Sequence, residues 1–182
     1  ALAAKEFEYT AQILEPAIPK IVSEGAHDQT IRWLRVIPIE TLRRSGYLWQ
    51  YLVLIMLDKG SFQAAKQTLS QIWSDLDELD NLTPKERDTI RGYSQALLAA
   101  ITIHSTLDAH KARQHSHIAA DLLPEHEFLG RCIAYGHNGS ACLHLGRVDE
   151  SIEKLSQAMQ LSKLVDYKMV YLLWFSYHAQ AI

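Results

Sequence analysis

Met56-Leu57-Asp58-Lys59-Gly60-Ser61-Phe62-Gln63-Ala64-Ala65 closes one apolar run and opens another across a single glycine. Gly60 is placed to stop a helix, because glycine takes a left-handed backbone without steric cost. Ser61 then stands where the next helix needs an N-cap acceptor. The segment reads as the turn of a helix-turn-helix pair. Leu145-Gly146-Arg147-Val148-Asp149-Glu150-Ser151 has the same form, Gly-x-apolar with a small residue five positions after the glycine.

Working outward, the apolar period is helical almost throughout. Thr83-Pro84-Lys85-Glu86 supplies a cap, a first-turn proline and a glutamate three residues after the cap, and Leu123-Pro124-Glu125 marks a further boundary. These signals predict helices over 5–24 (bent or interrupted around Pro16 and Pro19), 27–37, 46–58, 61–79, 84–104, 108–122, 125–145, 148–163 and 166–182. Pro38 to Ser45 reads as one helical turn and a loop. Nothing asks for a strand. Between the two glycine turns, Ala112, Ala119 and Pro124 reproduce the spacing of a tetratricopeptide second helix, with an insertion expected near Leu107. The small-residue anchors Ala65, Ala112 and Ser151 are 47 and 39 residues apart, against roughly 34 for a standard unit. Trp49 and Leu52, and Tyr135 and Gly139, fall on signature positions of the corresponding first helices. The expected fold is therefore all-α, with tetratricopeptide-like helical hairpins forming a right-handed superhelix.

Composition limits the function. The chain has 182 residues, 48% hydrophobic and 21% charged, with 8 Gly and 5 Pro. Such sparse turn residues disfavour a β-sandwich or barrel. A net charge of −3 with scattered Lys and Arg gives no phosphate-backbone footprint, so no nucleic acid is expected to bind here. Apolar runs such as Tyr51 to Leu57 and Met169 to Phe175 are far shorter than the roughly 20 residues needed to cross a bilayer, and no membrane role is expected. Cys132 and Cys142 lack CxxC spacing and, on one helix, cannot pair. Reduced thiols and a cytoplasmic location are expected. The start carries Lys5, Glu6 and Glu8 rather than a leader, and the expectation is one helical-repeat domain over 1–182, a fragment of a longer chain with opening helices over 1–45 and repeat units over 46–182.

Gly25, Ile31, Trp33, Leu34, Ile37, Pro38, Glu40 and Leu42, followed by Gly60, Ala64 and Ala65, match in order a pattern of Gly, apolar-x-Trp-Leu, apolar-Pro-x-Glu-x-Leu and a glycine-ended helix pair. In this the chain resembles the helical-repeat sensor domain of large ATP-dependent LuxR-type transcriptional activators, the MalT-like regulators. The resemblance implies a bacterial, non-catalytic, signal-sensing domain that receives a small-molecule inducer or a protein partner. It also implies that ATP binding and helix-turn-helix DNA recognition belong to flanking modules, since no GxxxxGK[ST] loop is present. The alternative is a freestanding tetratricopeptide-type scaffold for a peptide or partner helix.

Seven of nine histidines lie between His104 and His144, yet no pair among them has the i,i+3 or i,i+4 spacing of a helical zinc site. No metal and no cofactor is expected. Cys132, Ser140 and Cys142 near His137 and His144 do not form a nucleophile–base pair on one helix face, and Asp75, Asp77, Glu78 and Asp80 read as a solvated charge run. No catalytic residue and no enzyme activity is expected. Tyr167, Tyr171, Trp174 and Tyr177 form a helical stripe, which suggests packing against a further repeat or self-association. On tetratricopeptide register the inner face carries Tyr47 and Gln50, Gln95, and His144, the candidate ligand-binding residues in an otherwise apolar groove. Trp33 and Leu52 are expected in the core.

Overall fold

In a computed structural model, residues 2–45, 48–74, 76, 82–165 and 176–180 are described. They contain nine helices of six residues or more: α1 (Leu2–Ser23), α2 (His27–Val36), α3 (Ile39–Arg44), α4 (Leu48–Asp58), α5 (Phe62–Ser74), α6 (Pro84–Thr106), α7 (Ala109–Leu122), α8 (Phe128–His144) and α9 (Val148–Ser162). Residues 176–180 are also helical, and no strand occurs among the described residues. The all-α expectation holds. The chain divides into two compact units, Ala1–Ser61 and Phe62–Ile182, whereas the sequence reading drew one domain with an internal line at residue 45.

In the first unit α1 packs on α2, α3 and α4, and α4 also meets α2 and α3. The run Leu48 to Met56 is apolar on nearly every side, and all nine of its residues are buried. Leu52 lies in this core, as expected; Trp33 is only half-buried, and it is its neighbour Leu34 that is fully enclosed. Two local expectations change here. α1 is not interrupted by Pro16 and Pro19. Each proline deprives a carbonyl four residues back, on Gln12 and Glu15, of its donor; both residues line an open cavity of about 320 Å³ where water can replace it. Between Pro38 and Ser45 the six residues Ile39–Arg44 are helical rather than one turn and a loop, because Leu42 is drawn into the core while Thr41 and Leu42 close backbone bonds onto Pro38.

In the second unit α6 packs on α5, α7 and α8, α7 on α8, and α8 on α9. The short turns between α6 and α7 and between α8 and α9 make each pair a helical hairpin. α6 begins as read from sequence: Glu86 N–H donates to Thr83 Oγ1 at 3.3 Å, and Thr83 N–H donates to the Glu86 carboxylate at 2.7 Å. α8 starts at Phe128, three residues later than expected. Glu127 N–H bonds Pro124 O at 3.0 Å in a turn, and the buried Glu127 carboxylate accepts from Tyr93 Oη at 2.9 Å, which holds the chain off the helix until Phe128. The expected helix 61–79 is present to Ser74, and of the expected helix 166–182 only 176–180 lies within the described residues.

Three turns obey one geometry. α1, α4 and α8 end with crossed backbone bonds, such as Ser61 N to Met56 O at 2.8 Å and Arg147 N to Cys142 O at 2.9 Å, around glycines with φ of 85° at Gly25, 70° at Gly60 and 72° at Gly146. α6 ends on Leu107 with φ 55°, the sole non-glycine residue with positive φ among those described. Leu107 stands five residues before Ala112, as Gly60 does before Ala65 and Gly146 before Ser151. The insertion expected near Leu107 is therefore absent from this turn. The first helices contribute to the shift in period, with α6 at 23 residues and α8 at 17.

α8 is enclosed on almost every side, and small residues make this possible. A Cβ on Gly139 would meet Leu155 Cγ at 2.6 Å and Leu155 N at 3.1 Å; one on Gly130 would meet the Tyr93 ring at 2.8 Å. Ser151 Oγ donates to Gly139 O at 2.8 Å across the same α8–α9 contact. The axes can approach this closely only because no side chain intervenes.

Candidate functional site

The C-terminal ends of α6 and α8 bring together histidines that lie far apart in sequence. His104, in the last turn of α6, stacks on Phe62 of α5 at 5.9 Å between centroids and meets the His137 ring of α8 edge-on at 5.4 Å. His137 is 4% exposed. Burial, and secondarily His104, hold its imidazole well below the ordinary value of 6.5. His104 is lowered too, first by burial and then by His144 at the end of α8. With their pKa lowered, His104 and His137 are neutral bases near pH 7, so this pair is a hydrogen-bonding and stacking surface rather than a positive patch.

Beside it lies a cavity of about 460 Å³. Ile103, Leu107 and Leu143 give it an apolar wall, and His104, His144 and Tyr177 a polar one, with Ser176 and Gln180 completing the lining. No acidic side chain, lysine or arginine is among these residues. Among the described residues no group of three or more His, Cys, Asp or Glu is arranged to hold a metal ion.

The four candidate ligand-binding residues separate. His144 is exposed and lines this cavity. Gln95 is half-buried nearer the start of α6, where its Oε1 accepts from His115 Nδ1 at 2.6 Å; nine residues of helix, about 13.5 Å, divide it from His104. Gln50 is 1% exposed within α4. Tyr47 lies outside the described residues, as do Tyr167, Tyr171 and Trp174 of the aromatic stripe and Asp75, Asp77, Glu78 and Asp80. Sequence reasoning missed Leu107 and the His104–His137 contact. The available signal was Leu107 standing at the turn position held elsewhere by glycine.

The remaining nucleophiles are structural. Cys132 Sγ donates to Ala158 O at 3.2 Å, and both cysteines are free and buried. Cys142 contacts Glu150 Oε2 at 3.5 Å, and burial followed by that carboxylate pushes its thiol pKa up, away from the reactive thiolate. Glu150 is itself held by Arg113 at 3.3 Å and Arg147 at 2.9 Å.

A comparison of the chain with family models, with curated proteins and with solved structures finds no match. No described helix is long and apolar enough to cross a membrane.

Proposed function

We propose that this chain is a non-catalytic signal-receiving module built of tetratricopeptide-like hairpins in a right-handed superhelix, of the kind that large ATP-dependent LuxR-family activators place between their nucleotide-binding and DNA-binding parts. The observation that carries the reading is the repeat register. Counting from Gly60, Leu107 and Gly146, the fifth residues are Ala65, Ala112 and Ser151, the ninth Leu69, Ser116 and Leu155, and the twelfth Ile72, Ala119 and Ala158. All nine are buried. A thrice-repeated burial pattern keyed to a turn is what stacked hairpins require, because each buries its face only against its neighbours.

What supports the receiving role is the cavity walled by His104 and His144 at the ends of α6 and α8. A module of this sort acts by holding a ligand more tightly in one arrangement than in another. The test is a reporter gene driven by the whole regulator. His144→Ala, at the cavity, is expected to shift the inducer response, whereas Gln50→Ala, buried within α4, is expected to lower stability. A reading frame without a phosphate loop upstream and a helix-turn-helix downstream overturns the activator assignment.

A further inference from the structure

Leu107 has no reason in the fold to be a leucine. It sits at φ 55°, where a β-carbon is sterically strained, in the turn position filled by Gly60 and Gly146 in the other two repeats. Burial does not compensate, for Leu107 is 67% exposed. Strain retained at a residue that stays mostly exposed points to a role at a site, and Leu107 lies on the wall of the 460 Å³ cavity with Ile103, His104, Leu143, His144 and Tyr177.

The chemistry of that wall selects a ligand class. Three aliphatic side chains offer an apolar surface, while the His104 and His144 imidazoles and the Gln180 amide offer hydrogen-bonding groups. α6 and α8 both end here, so the partial negative ends of two helices face the site and disfavour an anion. A cation finds no carboxylate among the described lining residues to replace its water. We propose that the cavity at the C-terminal ends of α6 and α8 binds a small uncharged amphipathic molecule, its apolar body against Ile103, Leu107 and Leu143 and its polar group hydrogen-bonded to His104 and His144. This rests on the signal-receiving reading for its biological meaning, but binding to the isolated chain is measured without any transcriptional output.

Two fluorescent probes with one aromatic frame make the test. N-phenyl-1-naphthylamine is uncharged, and 8-anilinonaphthalene-1-sulfonate adds an anion. In titrations of the full chain at pH 7.5, the neutral probe is expected to saturate a single site at least fivefold more tightly than the sulfonate. Leu107→Gly and His144→Ala should each weaken it at least fivefold. Leu164→Ala, which truncates another exposed leucine of the same unit, should leave it unchanged. Melting followed by circular dichroism accompanies each variant, and Leu107→Gly should melt no lower than the parent, so its loss of binding reports the cavity and not the fold. Non-saturable binding, equal affinity for the sulfonate, or unaltered affinity in both cavity variants overturns the proposal. Such a failure removes this site while leaving the module reading to its own reporter test.

Discussion

Gly139 and His137 sit two residues apart on α8 and set opposite kinds of limit. Gly139 limits volume. Its absent side chain leaves room for Leu155, and the Leu155 backbone nitrogen at 3.1 Å from a would-be Cβ cannot rotate away as a side chain could. Gly139→Ala is therefore expected to destabilise by about 1–3 kcal/mol, read as a lowered urea midpoint with unchanged slope. His137 limits charge. Its pKa is lowered in the folded chain, so at mildly acidic pH the unfolded state binds a proton that the folded state refuses. Stability is then full above the ordinary value of 6.5 and declines as pH falls below it. The melting temperature should drop between pH 7.5 and 5.5, and His137→Gln should flatten part of that drop; the lowered His104 and His115 account for the rest. Neither residue's role was legible in the sequence. Helical spacing reports which residues share a face of one helix, whereas the Gly139–Leu155 and His104–His137 contacts are between helices, set by the angle at which they cross.

At the scale of elements the sequence was far more explicit, because helix ends are written in local chemistry. Thr83, Pro84 and Glu86 announce α6, and all three do in the structure what their types and spacing imply. Thr83→Ala removes the acceptor for Glu86 N–H and one partner of the Glu86 carboxylate. It should cost about 1 kcal/mol, seen as a lower thermal midpoint and faster amide exchange confined to the first turn of α6. Where local chemistry misled, tertiary packing had overridden it. Pro16 and Pro19 break a helix on propensity alone, yet α1 continues because its inner face, with Ala11, Ile18 and Val22, is fully buried. Glu125 was a fair helix start until the Tyr93 hydroxyl, 34 residues earlier, claimed Glu127.

For the whole molecule, the division after Ser61 could not be read from the chain because no linker marks it: the boundary falls inside the turn that most clearly joins two helices. α3, which the sequence offered as loop, packs on α1 and α4 and so closes the first four helices on one another. The second unit holds its own core, including the cluster of Ile103, Ala109, Ala112 and Ala141. A fragment of residues 62–182 is accordingly expected to fold alone, with helical circular dichroism and a cooperative thermal transition; a broad, non-cooperative melt would contradict the division. Both cysteines belong to α8 and are shut away in its slot, at 0% and 1% exposure. The chain thus carries its own clock: alkylation can proceed only while α8 is out of its place, so the rate of thiol labelling counts how often this helix lets go.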